Sequence, residues 1–186
     1  MVHPSASNLY ILTGAPGSGK TAILARLKDE LWCVDEPARE VLAEQRASGG
    51  NGTWDENPSL FVHLLLQRSI EKYQLAIRSG RKAAFDRGIP DCVVYAVRAG
   101  TDPKQSLTAV DLYRYNSRVR FLEPWSDIYT TDEERIMSFD ETLSFSASLR
   151  DIYIRSGYTP VEVPRRSVDD RAAFVRELIG VAPTVI

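Results

Sequence analysis

Residues 14–21 read Gly-Ala-Pro-Gly-Ser-Gly-Lys-Thr, and this octet stands between an apolar run and a helical pattern. The run Leu9–Leu12 before it is typical of a buried strand, and the residues after Thr21 read as the first turns of a helix. Gly14 and Gly19 permit a tight turn in which successive backbone N–H groups point toward one anion. The octet is therefore a complete phosphate-binding loop.

We predict that this loop binds a nucleoside triphosphate, with ATP and Mg²⁺ as the cofactors. The ammonium of Lys20 suits the β- and γ-phosphates, and the hydroxyl of Thr21 suits Mg²⁺. The helix that begins near Lys20 directs the positive end of its dipole at the same phosphates. No Asn-Lys-x-Asp motif for guanine is present, but the choice between ATP and GTP stays open. The predicted nucleotide-binding residues of this segment are Gly14, Ala15, Pro16, Gly17, Ser18, Gly19, Lys20, Thr21 and Ala22.

Length and composition favour one domain, spanning residues 1–186, over a multidomain or membrane protein. The net charge of −2 gives no general attraction to nucleic acid, and none is expected as a partner. Two cysteines fit a reduced environment better than a disulfide scaffold. No signal peptide and no apolar segment of membrane-spanning length is visible, so we expect a cytoplasmic protein.

Strand and helix patterns alternate along the chain, which favours an α/β fold: a three-layer, doubly wound, parallel five-stranded sheet of the P-loop NTPase, nucleotide-kinase type. Glycines 49, 80, 157 and 180 are expected to end four of the helices. The predicted strands are 9–12, 31–34, 82–86, 119–122 and 161–163.

Acidic residues follow two of these strands, and ligands of such sheets bind outside the carboxyl ends of the strands. Asp86 ends the third strand, where it is expected to hold Mg²⁺ together with Thr21. Arg87 comes next, and its planar guanidinium suits either the transferring phosphoryl group or an acceptor. A surface ion pair is the alternative for Arg87.

Asp35 and Glu36 follow the second strand and are candidates for orienting the acceptor hydroxyl. Neighbouring residues of an extended segment point in opposite directions, so only one should face the site, and Asp35 is modestly favoured. Arg39 is a candidate for clamping the acceptor or holding the carboxylate, with an exposed helix arginine as the alternative. Gln67 offers a donor and an acceptor that suit a base or amide ring.

Residues 124–137 lack clear periodicity and form a candidate lid segment. Arg135 within it is the candidate for closing on the transferring phosphoryl group, with an exposed salt-bridged loop as the alternative. Arg165 and Arg166 follow the fifth strand, and Arg165 is the candidate for stacking on the nucleotide base, although the sequence favours a solvent-facing pair at the start of a helix.

The chain resembles a known group, the small AAA-like P-loop proteins related to the ribosylnicotinamide kinase domain of NadR, near the TRPL translocation defect proteins of animals. The resemblance rests on Gly14–Thr21, 36–40, Gln67-Arg68, 85–87 and 119–123. It also extends, more broadly, to nucleoside and nucleotide kinases.

The resemblance implies nucleotide binding by Lys20 and Thr21, metal binding near Asp86, and an acceptor region around Asp35, Arg39 and Gln67. The chain departs from nucleotide kinases in carrying one arginine in 124–137, where those enzymes often have several. We therefore predict an ATP- and Mg²⁺-dependent phosphotransferase that acts on a hydroxyl of a small, nucleoside-like metabolite. An NTP-binding ATPase or regulatory switch without a small-molecule acceptor is the alternative.

Overall fold

Five strands and seven α-helices alternate in the computed structural model, which describes residues 8–129 and 137–181. The strands are β1 (Leu9–Gly14), β2 (Trp32–Val34), β3 (Ala83–Asp86), β4 (Arg118–Leu122) and β5 (Thr159–Glu162). The helices are α1 (Lys20–Leu27), α2 (Pro37–Ser48), α3 (Pro58–Ser79), α4 (Ile89–Arg98), α5 (Lys104–Leu112), α6 (Phe139–Arg155) and α7 (Val168–Ile179). A short 3₁₀ helix, Ser126–Ile128, follows β4.

The strands form one parallel sheet in the order β2-β3-β1-β4-β5, which confirms the predicted fold class. Alternate residues of β1 face opposite sides. Leu9 and Ile11 pack with helices α2 to α6, whereas Tyr10 and Leu12 pack with α1 and α7. The sheet is therefore the middle layer of three. None of the helices within residues 8–129 and 137–181 has the length and apolar character needed to cross a membrane.

The strand order determines which loops meet at the carboxyl edge of the sheet. β1 lies centrally, paired with β3 on one side, where Leu12 is opposite Asp86, and with β4 on the other, where Gly14 is opposite Leu122. Loops that follow β2 and β3 therefore lie on one side of the phosphate loop, and loops that follow β4 and β5 lie on the other.

Most helix ends agree with the sequence signals. Asn57 accepts a hydrogen bond from the backbone of Leu60, and Ser138 forms a capping box with Glu141. Helix α5 begins at Lys104. This start is supported by Asp102, whose carboxylate accepts a hydrogen bond from the Lys104 backbone N–H in the first turn.

Candidate active site

The phosphate loop, residues 14–21, joins β1 to α1, and two of its glycines are required by close contacts. Gly14 has φ of 142°, and a Cβ there would lie 2.1 Å from the carbonyl oxygen of Leu122 on β4. Gly19 is the N-terminal cap of α1 with φ of 89°. A Cβ at Gly19 would lie 2.7 Å from Nη1 of Arg171. Any other residue at either position would displace the loop from the strand or from α7.

Lys20 is buried within this loop, and its Nζ donates to the carbonyl oxygens of Gly14 at 3.2 Å and Ala15 at 3.0 Å. Burial and the nearby charge of Arg87 lower the pKa of Lys20 from 10.5 to about 8, against the opposing attraction of Asp86 and Glu36. The positive charge of the Lys20 ammonium is therefore only partly neutralised by the protein. This is expected of a lysine that binds a polyphosphate.

The pKa of Lys20 predicts a pH dependence for the expected binding of ATP. The polyphosphate favours the protonated lysine, so the affinity is expected to be constant below about pH 8 and to fall by up to about tenfold per pH unit above it, as protons must be taken up on binding. Titration calorimetry with ATP and Mg²⁺ at pH 7, 8 and 9 measures this. The variant Lys20→Arg, which stays charged, is expected to bind with an affinity that is flat over this range. A wild-type affinity that does not change between pH 7 and 9 would contradict the assignment of Lys20 as the cation that binds the polyphosphate.

Thr21 and Asp86 form the candidate magnesium site. The Thr21 hydroxyl donates to Oδ2 of Asp86 at 3.1 Å, and Oδ1 of the same carboxylate is buried without a hydrogen-bond partner among the described residues. Burial raises the pKa of Asp86, although Lys20 opposes this effect. An unsatisfied buried carboxylate oxygen beside a hydroxyl fits a hard cation. No group of three or more His, Cys, Asp or Glu side chains in residues 8–129 and 137–181 is arranged to hold a metal ion by itself, so phosphate oxygens and water would complete the coordination.

Arg87 lies beneath the phosphate loop rather than on the surface. Its Nε donates to Oε1 of Glu36 at 2.6 Å, and its Nη1 donates to the carbonyl oxygen of Gly14 at 3.0 Å and to Asp91 at 2.9 Å. The alternative of a surface ion pair is therefore incorrect, because Arg87 is 5% exposed. Arg87 connects the loop after β2 with the phosphate loop.

Glu36, and not Asp35, faces the site. Burial by itself raises the pKa of Glu36, but the charges of Arg87 and Lys20 outweigh it and bring the pKa to about 2. Nε of Arg39 donates to its other oxygen at 3.2 Å, so Arg39 holds this carboxylate. Asp35 is exposed and does not line the cavity described below. The modest preference for Asp35 is thus corrected: β2 ends at Val34, and Glu36 already occupies the N-cap of α2, whose turn directs it inward.

A cavity of about 1140 Å³ runs across this edge of the sheet. Its centre is the phosphate loop with Lys20 and Thr21. On the β4 and β5 side it is bounded by Trp125, Ile128 and residues 166–168 and 171. On the β2 and β3 side lies a chamber whose apolar wall consists of Ala38, Leu42, Trp54, Phe61, Tyr95 and Met137. Its charged members are Glu36, Arg39, Arg46, Asp55, Glu56, Arg98 and Glu141.

Two predicted binding residues lie elsewhere. Gln67 is exposed and lines a separate pocket of about 60 Å³ between α2 and α3. Phe61 points into the chamber from the start of α3, and Gln67 is nearly two turns further along and rotated to the outer side. Arg165 donates to the carbonyl oxygen of Pro124 at 2.8 Å, and its neighbour Arg166 lines the cavity instead. Arg135 lies outside the described residues, and its lid role stays a prediction.

Sequence reasoning gave no indication of Arg171, Trp54 or Trp125 as site residues. Arg171 is 3% exposed, its Nη2 donates to the carbonyl oxygen of Ser18 at 2.6 Å, and its guanidinium lies 5.8 Å from the Trp125 ring centroid. All three residues line the cavity. Arg171 is separated from Ser18 by 153 positions, so no local pattern indicates their contact.

Comparison with known proteins agrees with this geometry. A family model described as an AAA domain matches residues 9–171. NadR, in a solved structure with NAD and AMP-PNP, is similar with a TM-score of 0.61 at 16% identity, over 97% of this chain and 52% of that chain. The thymidylate kinase of Candida albicans has a TM-score of 0.57 at 16% identity, over 92% of this chain and 90% of its own.

A second thymidylate kinase, from Ehrlichia chaffeensis, is similar with a TM-score of 0.55 at 13% identity, over 94% of this chain and 99% of its own. No curated protein sequence matches the chain. The resemblance to the TRPL translocation defect proteins stays a prediction. At these identities the structural likeness concerns the fold, whereas the family model covers most of the sequence. The chain therefore belongs to the AAA domain family, and its fold is that of the P-loop nucleoside and nucleotide kinases.

Proposed function

We propose that this protein transfers the γ-phosphoryl group of ATP to a hydroxyl of a small, nucleoside-like molecule. The observation that carries the proposal is the continuity of the cavity: it passes from the phosphate loop into an acceptor chamber, with Glu36 where the two meet. A protein that only hydrolyses ATP needs a site for water beside the γ-phosphate. It has no need of a second, aromatic-walled chamber beside the phosphate loop.

The phosphates and the magnesium ion have a distinct set of residues. The backbone N–H groups of the phosphate loop and the N-terminus of α1 would hold the β-phosphate. Lys20 would neutralise charge on the β- and γ-phosphates, while Thr21 and Asp86 would hold Mg²⁺, which supplies charge compensation when bound. These groups act by positioning and electrostatics, which is what a loose transition state of phosphoryl transfer requires.

Glu36 would orient the acceptor hydroxyl. With a pKa of about 2 it is ionised at any physiological pH and accepts a hydrogen bond, but it is a weak base. In a loose transition state the hydroxyl gains little positive character before the P–O bond to the leaving group has lengthened. Alignment of the nucleophile thus matters more than early proton removal, and Arg87 and Arg39 keep the carboxylate in place.

The aromatic wall of the chamber supports a ring-bearing acceptor. Trp54, Phe61 and Tyr95 meet edge to face, with ring centroids 5.9–6.1 Å apart. Mutual packing fixes their orientations, so the part of each ring that lines the cavity is a rigid apolar surface. Flat heterocycles are bound well by such surfaces, and a sugar hydroxyl attached to one is the expected nucleophile.

Direct assay with pooled acceptors tests the function. Purified protein, ATP and Mg²⁺ are incubated with nucleosides, nucleoside monophosphates, nicotinamide riboside and small sugars, and products are identified by mass. The expected result is a product about 80 Da heavier than one ring-bearing acceptor, which is the mass of one transferred phosphoryl group. This product should form in equal amount with ADP. ADP release that no acceptor stimulates would favour the ATPase or switch and overturn the proposal.

Trp54 is expected to determine affinity for the acceptor and not for ATP. Because Trp54→Ala removes one ring of the wall, KM for the acceptor should rise about tenfold, while Kd for ATP stays unchanged. Trp54→Phe, which keeps a ring, should recover most of the loss. Steady-state kinetics against each substrate and calorimetry with ATP make the distinction. Equal losses for both substrates would contradict a role confined to the chamber.

A further inference from the structure

Asp91 receives four hydrogen bonds although it is 2% exposed. Its Oδ1 accepts from the Thr13 hydroxyl at 2.8 Å and from Nη1 of Arg87 at 2.9 Å. Its Oδ2 accepts from the backbone N–H of Gly88 at 3.1 Å and from the Tyr153 hydroxyl at 2.5 Å. A buried carboxylate with both oxygens saturated in this way has a single well-defined orientation.

Three of the four donors fix Asp91 independently of Arg87. Gly88 precedes α4, and Asp91 caps its N–H from the first turn of that helix. Thr13 belongs to β1, one residue before the phosphate loop, and Tyr153 belongs to α6 and is fully buried. A strand and two helices therefore hold the carboxylate, so Asp91 positions Arg87 and is not positioned by it.

Arg87 has a backbone conformation that needs such support. Its φ of 73° is the one left-handed value among the non-glycine residues of 8–129 and 137–181. This conformation is unfavourable for a residue with a Cβ and persists where surrounding contacts determine it. Asp91 binds Nη1, and Glu36 accepts from Nε on the neighbouring edge of the same rigid guanidinium plane. The orientation of one carboxylate thus sets that of the other.

We propose that Asp91 is a positioning residue of the transfer site: it fixes Arg87, and Arg87 in turn fixes the Glu36 carboxylate between the phosphate loop and the acceptor chamber. The proposal rests on the proposed function in that Glu36 orients the acceptor hydroxyl. A misplacement of about 1 Å is enough to cost a factor of up to about 100 in the rate of an oriented reaction. Asp91 therefore acts on kcat without touching either substrate.

The variant Asp91→Asn tests this through kinetics. The amide keeps the shape but replaces one acceptor by a donor, so at least one of the four hydrogen bonds is lost. We expect kcat to fall by about tenfold or more, with Kd for ATP within about threefold of the wild type. In a Glu36→Gln background the same change should have little further effect, because both act through one carboxylate. Additive losses, or a loss confined to ATP affinity, would overturn the proposal.

A milder variant keeps the test decisive if Asp91→Asn does not fold. Tyr153→Phe removes one hydrogen bond to Asp91 and leaves the ring, and its kcat should fall by about two- to fivefold, again without effect in the Glu36→Gln background. Tyr73→Phe is the matched control, since the Tyr73 hydroxyl donates to the carbonyl oxygen of Arg114, away from the cavity. Equal kinetic effects of the two tyrosine variants would count against the proposal.

Crystal structures of the same variants separate this inference from the proposed function. In Asp91→Asn, or in Tyr153→Phe if the former is insoluble, the contact between Nε of Arg87 and Oε1 of Glu36, now 2.6 Å, should lengthen or break. An unchanged contact would refute the positioning role whatever the activity. If the contact is lost but no acceptor is phosphorylated by the wild type, the coupling stands and the proposed function fails.

Discussion

The variant Glu36→Gln is expected to lower acceptor-dependent turnover by about 100-fold. Glu36→Gln keeps the size and one oxygen of the side chain, but it removes the charge that attracts the hydroxyl proton and the ion pair with Arg87 at 2.6 Å. The ATP-binding groups are not altered, so Kd for ATP should stay within about threefold of the wild type. Initial rates at saturating acceptor and ATP, together with calorimetry, give both quantities.

Asp35→Asn is the matched control for this variant. It makes the same chemical change one residue away, on a side chain that is exposed and outside the cavity. Its turnover should stay within about twofold of the wild type, as expected for a surface substitution. A large loss for Asp35→Asn with an active Glu36→Gln would reverse the assignment and restore the preference that the strand pattern suggested. Equal large losses would indicate that the loop as a whole, rather than one carboxylate, is needed.

The parts of this molecule that sequence predicts well are those in which a local pattern has one structural consequence. The octet at 14–21 fixes a strand, a turn and a helix, and Asp86 ends an apolar strand next to β1 in the sheet, which places it beside Thr21. The alternation of strands and helices then favours a parallel sheet with helices on both faces. The five strands and the meeting of Lys20, Thr21 and Asp86 could therefore be derived without coordinates.

The parts that sequence predicts poorly depend on rotation and on distant contacts. Choosing between Asp35 and Glu36 needs the residue at which β2 ends, because the alternation of an extended segment stops where α2 begins. Gln67 differs from the chamber-facing Phe61 by six positions, a rotation of about 600° or 240° net on a helix. Arg171 meets the phosphate loop only after α7 has packed on α1. Each error arises where tertiary packing, and not local pattern, decides.

The variant Lys20→Met is expected to reduce the rate of phosphoryl transfer by about 1,000-fold, which is the largest effect among the variants proposed for this protein. The side chain keeps its length and apolar stem but has no charge to offer the β- and γ-phosphates. Kd for ATP should also rise, since the ammonium interacts with the ground state as well as the transition state. Lys28→Met is the control: Lys28 follows the last turn of the same helix and is exposed, so both activity and affinity should stay at wild-type values.

We expect Lys20→Met to be as stable as the wild type. A loss of activity in this variant would then reflect the missing charge and not impaired folding. Because the pKa of Lys20 lies at about 8 in the folded protein against 10.5 for the free side chain, keeping it protonated below pH 8 costs the folded state on the order of 3 kcal/mol. Lys20→Met removes that net cost, in which the attraction of Lys20 to Asp86 and Glu36 is already included. The Tm at pH 7 should therefore be equal to or above that of the wild type, as expected where a charged group is retained for function at the expense of stability. A Tm that falls along with activity would mean that Lys20 supports the loop rather than the phosphates.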